Sequence, residues 1–207
     1  MRSATILYCF FAYGLSLSIL LQQFVWIALL QGRPQDLPSG QQALRVAMAL
    51  NVVSYVLAVA STRSVPDSLV LALTDLALSG LCLYAAVAVV NKAPRFQQAF
   101  TALAGGTGIL NLVAVPVLWL SSTSAAPSVG LLDVVIIMWG LAIIAHVLRH
   151  TLEVSAWMSV GLAFGFYVVV LNLMAITGVI GNPEGGNISD SQTSIYQYVT
   201  DDWLSRA

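Results

Sequence analysis

The chain has 207 residues, of which 58% are hydrophobic and 8% charged, with a net charge of −1 and a mean hydropathy of +0.87. A soluble domain carries about 25% charged residues because its surface must face water. Too few charges are present to coat a globule of 22.0 kDa, so lipid is the solvent for most of the surface. The near-neutral balance and the lack of a long basic run exclude nucleic acid as an expected partner.

A helix crosses the hydrocarbon core with about 20 apolar residues. In chain order, apolar runs fall near 4–30, 44–60, 68–90, 97–120, 128–148 and 154–180. The first follows Arg2 but is too long for the core of a signal peptide and has no small-x-small cleavage site after it, so it reads as a retained span. The second is the shortest and carries Asn51. Between the runs lie "QGRPQDLPSGQQ", "STRSVPD", "NKAPR", "SSTSAAP" and "RHTLE", polar connectors too short to fold as soluble domains. Proline in four of these five suits chain reversal between helices. Cys9 and Cys82 both sit inside apolar runs, so no disulfide framework is expected. The predicted fold is an all-α, polytopic transmembrane helix bundle over residues 1–180, with about six spans, or five if the first run does not cross. A polar tail follows over 181–207. Within it "GNPEGGNISDSQTS" reads as flexible linker, and Ile195, Tyr198, Val199 and Trp203 share one face of a short interfacial helix or partner-binding segment.

The connectors after the first, third and fifth runs hold Arg33, Arg45, Lys92, Arg95 and Arg149, against Arg2, Arg63 and Arg206 on the opposite side. Positive residues favour the cytoplasm. The bias therefore puts those three connectors in the cytoplasm, with membrane lipids and other integral membrane proteins or a second copy as expected partners.

The run Ala104-Gly105-Gly106-Thr107-Gly108 in the fourth span lacks the Lys and Ser or Thr of a phosphate-binding loop and has no preceding strand. It reads instead as a packing surface. Thr101/Gly105, Ala102/Gly106 and Ala104/Gly108 are overlapping small-xxx-small pairs that let helix backbones approach closely. A small or polar stripe on the third span, Ala72, Asp75, Ser79, Cys82 and Ala86, is expected to meet Gly105, Gly106 and Gly108 there. Pro116 removes the bond to the Leu112 carbonyl and is expected to bend the fourth span.

Asp75 is the sharpest anomaly, because a mid-span aspartate costs about 2.5–3.5 kcal/mol on insertion scales. In the expected topology Asp75, Asn111, Asp133 and Asn172 share an outer layer. Two readings are open. One is a proton- or cation-linked site; the other is interhelical hydrogen bonding, with Asp75 protonated or accepting from Asn111 or Thr107. A second group, His146, His150 and Glu153 in "HVLRHTLE", has a spacing that could present three metal ligands on one helical face. Arg149, four residues before Glu153, offers a simpler ion pair, and the segment suits interface anchoring. The expected metal site is therefore none, and no cofactor motif or catalytic constellation stands out.

The succession "GRPQDLPSG", "LTDLALSGLCLY", "RFQQAFTALAGGTGILNLVAVPVLW" and "HVLRHTLEVS" resembles uncharacterised small polytopic membrane proteins of bacteria, similar in turn to Yip-type membrane proteins. The resemblance covers roughly residues 32–180 and implies a compact bundle of about five spans with no catalytic residues to carry over. Yip-type proteins usually begin with a soluble amino-terminal region, whereas this chain begins with an apolar run. The function expected first is structural, scaffolding or accessory, acting through helix faces and the tail. The alternative is a small proton- or ion-linked transporter or channel component built on Asp75, Asn111 and Asp133, and a membrane enzyme using the His146–Glu153 segment ranks behind both.

Overall fold

A computed structural model describes residues 17–38, 40–123 and 127–176. Among the described residues the secondary structure is helical, with no strand. The helices are α1 (Leu17–Ala28), α2 (Gln41–Val59), α3 (Val65–Val89), α4 (Phe96–Thr123), α5 (Pro127–Leu152) and α6 (Ala156–Ile176). Short 3₁₀ turns at Pro34–Asp36 and Ala93–Arg95 precede α2 and α4. Among the described residues five helices, α2 to α6, are long and apolar enough to cross a membrane. The protein is an integral membrane protein built as an all-α bundle. The expected start of the first run near residue 4 and the tail from 181, with Ile195 and Trp203, lie outside the described residues.

Local chemistry sets the helix ends. Ser64 caps α3, its hydroxyl accepting the Asp67 amide at 3.3 Å and donating to the Asp67 carboxylate at 2.6 Å, which satisfies an amide that α3 itself leaves unpaired. At the other end of α3, Asn91 takes a φ of 56°. The Lys92 amide then returns to the Val87 carbonyl and the Asn91 amide to the Ala88 carbonyl, the paired bonds of a left-handed helix stop. α1 ends the same way, with Leu30 at φ 62° and the Gln31 amide on the Trp26 carbonyl. α4 runs through Pro116 as one continuous helix.

The five long helices close a ring in the order α2, α3, α6, α5, α4, with the most extensive contact between α2 and α4, and α3 and α4 touching less. α1 lies outside this ring against α4 and α5, with Phe24 and Ile27 fully buried. The core is small and aliphatic where helices meet (Ala47, Ala99, Ala102, Ala104) and bulkier toward one end (Leu83, Val87, Phe100, Val147, Leu152).

This packing changes the partner of the glycine face. A methyl added at Gly105 would overlap the Phe24 ring of α1; one at Gly106 would come within 3.1–3.2 Å of Ile27 and Ile143; one at Gly108 would lie 3.1 Å from the Asn51 amide nitrogen on α2. The glycines are therefore close-approach positions toward α1, α2 and α5, not toward the stripe on α3. α3 meets α4 nearer the ring's bulky end, through Gly80 against Phe100 and an edge-on contact of Tyr84 with Phe96 at 5.4 Å. The cause is a limit of periodicity: the small residues mark a face, but which helix fills it is fixed by the ring order.

Candidate intramembrane site

The ring surrounds a partly open cavity of about 200 Å³, lined from all five spans. α3 contributes Asp75 and Ser79, α2 Asn51 and Tyr55, α4 Thr107 and Asn111, and α6 Phe166 and Tyr167, while α5 supplies aliphatic wall and Gly140. Asp75 lies roughly 15 Å along α3 from Val65, at about 1.5 Å per residue, and so sits at membrane depth.

Each polar pair owes its position to helix geometry. Asn51/Tyr55, Asp75/Ser79 and Thr107/Asn111 are each spaced i, i+4, which stacks two side chains on one helix face. Asn51, 3% exposed, donates from Nδ2 to the Thr107 hydroxyl at 2.8 Å and to the Ala104 carbonyl at 3.4 Å. Thr107 in turn donates to the Leu103 carbonyl at 2.7 Å. Thr107 is thus fully engaged with α2 and with its own helix, and no hydrogen bond to Asp75 forms among the described residues. The Asn51 Oδ1 is buried with no partner, an uncommon condition for a buried amide oxygen. No Lys or Arg lines the cavity. Arg63, at the end of α2, lies within electrostatic reach of Tyr55, as do Asp75 and Tyr167.

The outer layer expected from the sequence divides. Asp75 and Asn111 face the same cavity with Ser79 beside them, whereas Asp133 and Asn172 do not line it. Asn172 is exposed and donates back to the Val168 carbonyl of its own helix at 2.7 Å. Asp133 is half-buried, with one carboxylate oxygen unpartnered. Asn51, Tyr55, Phe166 and Tyr167 were not among the expected site residues. The i, i+4 spacing of Asn51 and Tyr55 within an otherwise aliphatic span is a signal for the first two, whereas no spacing marks Phe166 and Tyr167.

The second expected cluster separates altogether. His146 donates from Nε2 to the Gly32 carbonyl at 2.7 Å, and its ring packs edge-on against His150 at 4.6 Å. α5 stops at Leu152, and Glu153 turns to a φ of 58°, so the face shared by the two histidines does not continue to it. Glu153 instead takes ion pairs from Lys92, at 2.7 Å, and Arg95, and not from Arg149 as the sequence spacing would have it. These bonds, Lys92 first, hold its carboxyl down to about 2. Lys92 also caps the end of α5 through the Leu152 carbonyl at 3.0 Å, a cation at a helix C-terminus. Among the described residues no three His, Cys, Asp or Glu side chains group as metal ligands.

The same end of the bundle gathers the other two connectors. Gln35 donates to the His150 carbonyl at 3.3 Å and Gln98 to the Leu37 carbonyl at 3.4 Å. The α1–α2, α3–α4 and α5–α6 connectors are therefore bound into one layer.

No family model, curated protein or solved structure matches this chain.

Proposed function

We propose that this integral membrane protein binds a proton or a small cation at Asp75 and acts as a cation-linked carrier or channel component. One observation carries the reading: a carboxylate at membrane depth faces a largely apolar cavity, with a few polar side chains and no Lys or Arg in its lining. A charge placed there needs compensation from a proton or a bound cation, because hydrocarbon supplies none. The scaffolding alternative gives Asp75 a structural hydrogen bond to Thr107 or Asn111, and Thr107 is already spent on Asn51 and Leu103. We further propose a bacterial cytoplasmic membrane as the location, with the bound connector layer on the cytoplasmic side.

The test uses the full chain in liposomes loaded with a pH-sensitive dye, with sodium, potassium or tetramethylammonium gradients imposed in turn. At least one gradient is expected to move protons or cations above the empty-liposome rate. Asp75→Asn, similar in size and uncharged, should abolish that flux while keeping the parent's thermal stability in detergent. Equal flux in parent and variant, or no flux from the parent, would overturn the proposal.

A further inference from the structure

The cavity holds more room than a bare ion requires. One water needs roughly 10–15 Å³ of such space, and about 200 Å³ is available. It is nonetheless below the roughly 300–1,000 Å³ of sites for drug-sized ligands. An occupant of a few heavy atoms fits both limits.

The lining also sorts between kinds of cation. A desolvated metal ion wants a shell of oxygen ligands. The lining does offer oxygens, from Asp75, Ser79, Asn51, Asn111 and two tyrosine hydroxyls, but they are spread over four helices, and much of the remaining wall is aliphatic, with Ile136, Ile137 and Ile144 from α5. Three aromatic rings, Tyr55, Phe166 and Tyr167, share that wall with Asp75. Aromatic faces attract alkylated ammonium groups, whose charge is spread over methyl groups that also suit an apolar surface. Arg63 is near Tyr55 but outside the lining, so it opposes a bound cation only from a distance.

Resting on the reading of Asp75 as a cation site, we propose that its ligand is a small alkylated ammonium ion. The Asp75 carboxylate balances its charge, and the rings of Tyr55, Phe166 and Tyr167 hold its alkyl groups. The unpartnered Asn51 Oδ1 can accept from one hydrogen-bond donor on the ligand.

Thermal stability of the full chain in detergent is measured against tetramethylammonium chloride, sodium chloride at equal ionic strength, and tert-butanol, a neutral molecule of nearly the same shape. Tetramethylammonium is expected to raise the melting temperature saturably, with no rise from tert-butanol and little from sodium. Asp75→Asn should remove the response. Tyr167→Leu should weaken apparent affinity about thirtyfold, the size of one desolvated cation–π contact, while Tyr167→Phe, which keeps the aromatic face, should stay within about threefold of the parent. An Asp75-dependent response to sodium or protons with none to tetramethylammonium would overturn the ammonium ligand and leave the cation site standing. Equal responses to tetramethylammonium and tert-butanol would overturn it as well. No Asp75-dependent response to any cation would overturn both.

Discussion

Gly108 shows how much one missing methyl group governs. An added Cβ would stand 3.1–3.2 Å from backbone atoms of Asn51, and backbone cannot swing aside as a side chain can. Gly108→Ala should therefore lower stability in detergent by about 1–3 kcal/mol, the range for overpacking, and Gly108→Leu by more. Gly161→Ala and Gly165→Ala on α6 are the controls, since a methyl there meets nothing within 4 Å. They should equal or exceed the parent, as alanine is the better helix former. If Gly108→Ala melted with the parent, the close seam between α2 and α4 would be wrong. Loss of this seam would also displace Asn51, which bonds Thr107 across it, so packing and cavity are one structure here. At this scale the sequence is partly legible. The close-approach role of the glycines and the oddity of Asp75 can be read from residue type, because lipid penalises both loose packing and unpaired charge. Tyr55 and Tyr167 cannot, because an aromatic residue in a span is ordinary until its neighbours across the ring are known.

The helix ends, more than the helix bodies, explain how the elements are held. Glu153 occupies left-handed backbone at the end of α5, a conformation that costs a non-glycine residue roughly 1–2 kcal/mol. Its carboxylate bridges Lys92 and Arg95 of the α3–α4 connector, so one side chain ties two helical hairpins together. Sequence spacing offered Arg149 as partner because i, i+4 is the nearest pairing on a continuing helix. The helix stops at Leu152, one residue too soon for that. The pair is solvent-exposed and its effect is correspondingly modest, but its pH dependence has a definite sign. The folded value near 2 lies below the usual glutamate value of about 4.3. The stabilisation is thus complete above about pH 4.3 and lost as pH falls through about 2. Glu153→Gln should melt below the parent at pH 6–7, and the gap should close progressively below about pH 4. A gap of constant size down to pH 2 would show that the carboxylate's charge contributes nothing.

At the scale of the whole molecule, ring order and charge placement arise from different causes. Class and span positions follow from hydropathy, and five of the runs match helices of the ring. The order of the ring does not follow, since α2 and α4 pack directly together although α3 lies between them in sequence, and no local pattern encodes that pairing. Orientation rests on a third property. Arg33, Arg45, Lys92, Arg95 and Arg149 belong to the end where the three connectors are bound together, and Arg63 stands at the opposite end. Glu153 neutralises part of that charge in the folded protein. Acidic residues nevertheless contribute little when the chain is inserted, so the basic side chains retain their effect on topology. Cysteines placed singly at exposed connector positions test the result without removing any charge. With Cys9 and Cys82 first replaced by alanine, cysteine at Gln31, Ala93 or Ser155 should be shielded from a membrane-impermeant maleimide in intact cells. Cysteine at Thr62 or Thr123 should be labelled, and all five should react once the membrane is opened. Labelling at 93 with protection at 62 would invert the molecule. The proposed cation site would then face the opposite compartments, with Asp75 nearer the cytoplasmic end of its span.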